Sequence, residues 1–139
     1  MKRENMVGQT IKDYTFIRIV GEGAWATVYE AVPTKGDLDT VAVKVIAQKL
    51  MRDTPKLEEL VKTEVKVLKG CKNDNVISFV DTFKTDNYLF IITEFCNGGD
   101  LEHYLEKKKQ IPEDEATLFL KQILNGFMVN PLSLRACIK

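Results

Sequence analysis

With one histidine, three cysteines and no surplus of either charge, this chain excludes several kinds of chemistry from the start. Its 20 basic and 20 acidic side chains cancel, so no net field draws it toward nucleic acid or an anionic membrane. No apolar run approaches the roughly 20 residues of a membrane span. Lys2 and Arg3 near the start have no apolar stretch behind them, which argues against a secretory signal. Cys71, Cys96 and Cys137 are odd in number and widely spaced, matching neither a disulfide framework nor a zinc site. A reducing, intracellular and cytoplasmic setting follows as the expectation. His103, the sole histidine, lies in a polar helix-like stretch and is expected at the surface, which removes histidine-based acid–base schemes. The charge run Glu106 to Lys109 is expected to be a solvated helix end. Internal repeats and low-complexity tracts are absent.

What is present is globular. Apolar residues make up 45% of the 139 and charged residues 29%, enough for one domain with a modest core. Tyr14 to Val20 is rich in β-branched and aromatic residues and reads as a strand. A glycine turn follows, then a second strand from Thr27 to Val32. Thr34 to Asp39 forms a turn around Gly36, and Val41 to Ile46 a short apolar strand. Thr54 and Pro55 read as the cap and first residue of a helix. Leu57, Leu60, Val61, Val65 and Leu68 recur along that helix at helical spacing, and Gly70 stops it. Val76 to Phe83 and Tyr88 to Phe95 read as strands flanking the hairpin turn Lys84 to Asn87. A short helix from Asp100 to Lys108 and a longer one opened by Pro112 complete the pattern. Ala116, Phe119, Leu120, Ile123, Leu124 and Phe127 form the apolar stripe of the longer helix. Hairpin-joined strands with one interposed helix predict an antiparallel α+β layer and not a doubly wound parallel sheet.

Three segments could carry chemistry. Val20-Gly21-Glu22-Gly23-Ala24-Trp25-Ala26-Thr27-Val28-Tyr29 turns through glycines between two strands. Alone it fits an ordinary hairpin with glycines at positive φ as well as a flap whose backbone amides face phosphate oxygens. A dinucleotide fingerprint needs a helix right after the glycines, and Thr27 to Val32 is β-prone, so that reading fails. The Walker-type lysine loop is absent too. Lys44 ends the strand Val41-Ala42-Val43-Lys44, where an ammonium either snorkels to water or is paired. Glu64 lies at helical spacing with Leu57, Val61 and Leu68, and a carboxylate there calls for a cationic partner. Lys44 answers that need. Thr93 to Leu101 leaves a strand through Gly98 and Gly99 into a helix, either as a plain connector or with its free backbone groups facing a planar ligand.

In this order and near this spacing, these segments resemble the N-terminal lobe and the start of the C-terminal lobe of a eukaryotic protein kinase. The likeness is nearer to the serine/threonine type than to tyrosine kinases and runs from about Tyr14 to Phe127. It implies an α+β, protein-kinase-like fold: an antiparallel five-stranded sheet with one long helix, then one short and one long helix. The implied boundaries are an extension over 1–13, a partial kinase domain over 14–128 (14–96 as N-lobe, 97–128 as hinge exit and first C-lobe helices) and a non-family tail over 129–139. The resemblance also implies ATP as cofactor, with Gly21, Glu22 and Gly23 over the phosphates and Val28 and Ala42 against the adenine. Lys44 would hold phosphates and pair with Glu64, and Thr93 would be the gatekeeper. The Glu94 carbonyl and Cys96 amide would meet the adenine edge, with Asp100 near the ribose. Ala26 stands where the family's third glycine would be, and Trp25 at the loop tip, where an aromatic is common.

After about Met128 the resemblance ends, and Asn130-Pro131 is expected to break the helix. The family's His-Arg-Asp and Asp-Phe-Gly segments occur nowhere in the 139 residues, so the family's Mg²⁺ lacks its ligands. These residues alone are therefore expected to be catalytically inactive, with the stripe of the last helix exposed. The resemblance implies ATP and a protein substrate or partner kinase as partners, without nucleic acid or membrane. The alternatives are a non-catalytic nucleotide- or partner-binding module and a truncated product without function.

Overall fold

The structure is a computed structural model and describes residues 4–37 and 40–129. In chain order the elements are β1 (Thr10–Ile11), β2 (Tyr14–Glu22), β3 (Ala26–Pro33), β4 (Val41–Ala47), α1 (Gln48–Asp53), α2 (Pro55–Gly70), β5 (Phe79–Lys84), β6 (Tyr88–Glu94), α3 (Leu101–Lys108) and α4 (Glu113–Val129). One sheet holds all the strands in the order β1-β2-β3-β4-β6-β5. The pairs β1–β2, β2–β3, β3–β4 and β4–β6 are antiparallel. The α+β class is as expected, but the sheet has six strands, not five. The additional one, β1, is two residues long and pairs Thr10 with Thr15 and Ile11 with Tyr14. The described residues divide into two compact units, one within 4–61 and 80–95, the other within 62–79 and 96–129.

The first unit is built on the sheet. Its core gathers Met6, Tyr14, Phe16, Tyr29, Ala31, Val41, Val43, Val45, Phe90 and Ile92. Alternation explains the set: on β4, Val41, Val43 and Val45 point into this core, while Ala42 and Lys44 between them are half-buried on the other face. Four of the core residues are aromatic. Phe90 joins three rings, stacked on Phe83 at 4.6 Å and edge-on to Phe16 at 6.1 Å and Tyr88 at 6.2 Å. The stretch before Tyr14 takes part in this unit. Met6 is buried in its core, and Gly8 N–H donates to the Phe16 carbonyl at 2.8 Å.

The short helix α1 is absent from the sequence expectation. Gln48-Lys49-Leu50-Met51-Arg52 are good helix formers, but six residues are too few to display a period. Only Met51 of the helix is buried. Its first residue is tied to the β5–β6 turn, with Gln48 N–H donating to the Asn87 carbonyl at 2.8 Å and its side-chain amide donating to the Thr85 carbonyl.

In α2, Leu57, Val61 and Leu68 are buried and Glu64 and Val65 half-buried, whereas Leu60 is 59% exposed. Positions 57, 61, 64 and 68 share one stripe at 3.6 residues per turn, and Leu60 falls outside it. The strand expected from Val76 begins only at Phe79. Asn73 accounts for the delay: its side-chain oxygen accepts the Asn75 N–H at 2.7 Å and its carbonyl accepts the Val76 N–H at 3.1 Å. Those donors are committed to a turn and cannot enter a ladder.

In the second unit, α3 and α4 meet through Tyr104 and Phe119, edge-on with ring centroids 5.5 Å apart. Tyr104 donates to the Glu115 carboxylate, which also accepts from Lys108 at 3.1 Å. These two donors, Tyr104 first, hold the Glu115 carboxyl below its usual range. The expected stripe of α4 splits. Ala116, Phe119 and Ile123 are half-buried, while Leu120, Leu124 and Phe127 are exposed. At Gly126, α4 lies against the Asn73 turn, since a Cβ there would lie 3.3 Å from both the Asn75 carbonyl oxygen and Val76. The expected helix break at Asn130-Pro131 and the tail beyond it lie outside the described residues.

One cross-strand ion pair in the first unit supports a prediction. Arg18 faces Glu30 across β2 and β3, with Nε 2.6 Å from Glu30 Oε2 and the guanidinium 6.0 Å from the Phe95 ring. Glu30 Oε2 is sealed from solvent and receives no directed hydrogen bond, so the nearby charge of Arg18 is what offsets its burial. Arg18→Met is expected to cost about 1–3 kcal/mol by leaving that oxygen without its cation. Arg18→Met with Glu30→Met should recover most of the loss. Urea unfolding followed by Trp25 fluorescence measures both, and strictly additive single-variant effects would refute the coupling.

Candidate functional site

Strand register brings five of the expected site residues onto one face of the sheet. Gly21 is opposite Val28, Val28 opposite Lys44, and Lys44 opposite Ile91. A parallel row runs from Arg18 through Glu30 and Ala42 to Thr93. Directly opposed residues share a face, as do residues two apart on one strand. Gly21, Val28, Ala42, Lys44 and Thr93 therefore stand together, with Val28, Ala42, Lys44 and Thr93 all half-buried. Ile91, buried in the same row as Lys44, belongs to this face and was not anticipated. Only the register reveals it, and no local pattern in β6 signals it.

The glycine turn is tight, with the Gly23 N–H donating to the Ala26 carbonyl at 2.9 Å. Positive φ among the described glycines occurs at Gly8, Gly36 and Gly99, not at Gly21 or Gly23. A Cβ added at Gly21 would lie 3.9 Å from Val28, and one at Gly23 would lie 3.7 Å from the Ala26 carbonyl oxygen. Those are ordinary contact distances, so the fold itself does not require glycine at either position. The hairpin reading based on positive φ therefore does not apply. Glu22 is exposed on the turn, and Trp25 at its tip is 52% exposed.

The remaining candidates fall beyond the strands. Thr93 Oγ1 donates to the Glu94 carbonyl at 3.3 Å. The chain then turns through Asn97 and Gly98, and Gly99 supplies a φ of 79°. Asp100 caps α3, its carboxylate accepting the His103 N–H at 2.8 Å. The Asp100 side chain thus has a local structural role. Cys96 is half-buried, and Cys71 is a buried free thiol. Glu64 is half-buried on α2, in the second unit. His103 is exposed, as expected, 3.9 Å from Glu106. No three His, Cys, Asp or Glu side chains form a metal-holding group among the described residues, and no described helix is long and apolar enough to cross a membrane.

Residues 14–129 match the model of the protein kinase domain. The chain belongs to the protein kinase family. It is similar to the serine/threonine-protein kinase PLK4 of Xenopus laevis, 31% identical over 88% of this chain and 13% of that protein. The serine/threonine-protein kinase ULK1 of Homo sapiens is 36% identical over 83% of this chain and 11% of its own length. For ULK3 of Rattus norvegicus the identity is 35%, over 77% of this chain and 22% of the relative. The chain thus spans less than a quarter of each of these curated relatives. Its structure resembles that of Rad53 1–466 in complex with AMP-PNP, with a TM-score of 0.74 and 28% identity, over 84% of this chain and 30% of that one. The kinase fold accounts for the α+β sheet and for the helices that follow it.

Proposed function

We propose that these residues form the ATP-holding part of a serine/threonine protein kinase, a protein that transfers phosphoryl groups from ATP to protein hydroxyls. The observation that carries this reading is the pair of glycines over the Lys44 row: the chain leaves room for a Cβ at Gly21 and Gly23, so their lack of side chains suits the close approach of something other than the fold. A nucleotide phosphate lying under backbone amides and beside a lysine fits that description. Val28 and Ala42 would give the adenine apolar contact, and the Glu94 carbonyl and Cys96 N–H would bond its edge, with Asp100 and Glu22 at the margins. Thr93 would limit the depth of the pocket, and Glu64 would pair with Lys44. When bound, ATP supplies the transferable phosphoryl group. The Rad53 relative with its AMP-PNP supports an adenine nucleotide as the ligand.

The described residues do not fit Mg²⁺ by themselves, since no acidic cluster is available to hold it. No His-Arg-Asp or Asp-Phe-Gly occurs in the sequence, and we infer that these 139 residues alone transfer no phosphate. Phosphoryl transfer depends on positioning and charge neutralisation, which those segments supply in the family.

The test is Gly21→Ala with Gly23→Ala. Because the chain accommodates both methyl groups, folding stability should hold or rise by up to about 1 kcal/mol. ATP affinity, by titration calorimetry, should fall at least about fivefold, equivalent to roughly 1 kcal/mol of lost phosphate contact. Unchanged affinity in the stable double variant would defeat the nucleotide reading. Phosphate transfer by the unmodified chain to a generic protein substrate, lost in Lys44→Met, would defeat the inference of inactivity.

A further inference from the structure

The sheet carries a concavity on the face opposite Lys44. It is a cavity of about 210 Å³, with Glu4, Met6, Trp25, Tyr29, Leu50 and Tyr88 around it. Thr27, Tyr29, Val45 and Ala47 also line it, and they alternate along β3 and β4 with Val28 and Lys44, which fixes the side of the sheet. All of these residues belong to the first unit. The cavity is therefore separate from the candidate nucleotide site and does not depend on that reading.

Three aromatic residues and one carboxylate set its chemistry. The Tyr29 hydroxyl donates to the Glu4 carbonyl, and the Tyr88 hydroxyl donates to the Glu4 carboxylate, both at 3.3 Å. The two tyrosines thus hold Glu4 at the cavity, with Trp25 at the end of the glycine turn as a further wall. Burial, followed by the negative charge of Glu4, raises the Tyr88 pKa. Aromatic faces attract cations, and the carboxylate adds a counter-charge. An ammonium bearing methyl groups suits both features, because its carbon surface tolerates the apolar lining and its charge meets Glu4.

We propose that this cavity is a binding site for an alkylammonium group, either in a free quaternary amine or in a methylated lysine side chain of a peptide. Occupancy would hold Trp25, and through it the tip of the glycine turn.

Trp25 is the only tryptophan in the chain, so its emission reports directly on the cavity. The experiment titrates the 139-residue chain with choline, with its neutral isostere in which carbon replaces the nitrogen, and with a short peptide containing trimethyllysine. The proposal expects a saturable change in Trp25 emission with choline or the peptide, and about tenfold weaker binding of the neutral isostere. Glu4 is exposed, so Glu4→Gln should fold normally and lose about as much affinity as the isostere. Ala47→Leu, which fills the cavity, should abolish the response while circular dichroism stays unchanged. Whichever of choline and the peptide binds more tightly identifies the source, and either result supports the site. Equal binding of choline and its isostere would overturn the proposal, as would undiminished affinity in Glu4→Gln, or no saturable change with either cation.

Discussion

Phe90→Ala should destabilise the sheet unit by about 3–5 kcal/mol. Phe90 is 1% exposed, and its ring contacts Phe83, Phe16 and Tyr88. Removing it takes away the transfer energy of a full aromatic side chain and leaves a cavity between rings on β2, β5 and β6 itself. Each aromatic pair adds about 0.5–1.5 kcal/mol beyond area burial, and three pairs are lost together. Against a typical total of about 5–15 kcal/mol, this loss consumes much of the margin. Trp25 lies in the same unit, so its fluorescence in urea follows the relevant transition. The midpoint should fall with little change in slope. Phe90→Leu should retain most of the stability, because it keeps apolar volume and forfeits chiefly the ring geometry. Equal losses for the two variants would mean that ring contacts, not volume, dominate at this position.

The parts of this fold legible in the sequence are those where local pattern and packing agree. β4 announces itself through alternating valines that face the core, and α2 through Pro55 and the Leu57, Val61 and Leu68 stripe. What escaped is held by contacts distant in sequence or by segments too short to show a period. β1 exists because residues 8–11 find the edge of β2. α1 forms where the Gln48 amide reaches the β5–β6 turn. The late start of β5 comes from the Asn73 side chain, a local signal that the apolar run Val76-Ile77 outweighed on paper. The stripe of α4 was readable, but its division into half-buried and exposed rows was not, because helical period identifies a face without saying what covers it.

The candidate site was legible to a different depth. Ala42 and Lys44 share one side of β4 through two-residue alternation, which the apolar run Val41 to Ile46 does not announce. The position of Val28 directly opposite Lys44, and of Thr93 opposite Ala42, follows from strand pairing, which no single segment encodes. Ile91 and the Arg18–Glu30 pair enter the same face by the same route. The residues beyond the strands carried roles by resemblance only, and there the structure adds the capping role of Asp100.

Lys44→Met is expected to lower ATP affinity by about 10- to 150-fold, which corresponds to about 1.5–3 kcal/mol for a hydrogen bond to a charged group. Methionine suits the comparison because its unbranched side chain preserves packing beside Val28 and Ile91 while removing the ammonium. Lys44 is half-buried in a row of apolar neighbours, so the charge is costly there unless anions offset it. Under the proposal two anions do so, a phosphate when nucleotide is bound and Glu64 throughout. The two contributions separate experimentally. Calorimetry on Lys44→Met reads the phosphate. A double-mutant cycle with Glu64→Gln, read by urea unfolding without nucleotide, reads the pair, and a coupling of about 0.5–3 kcal/mol is expected. Coupling without any loss of ATP affinity would leave Lys44 a structural partner of Glu64 and remove it from the nucleotide site. Loss of affinity without coupling would keep Lys44 at the phosphates and detach Glu64 from it.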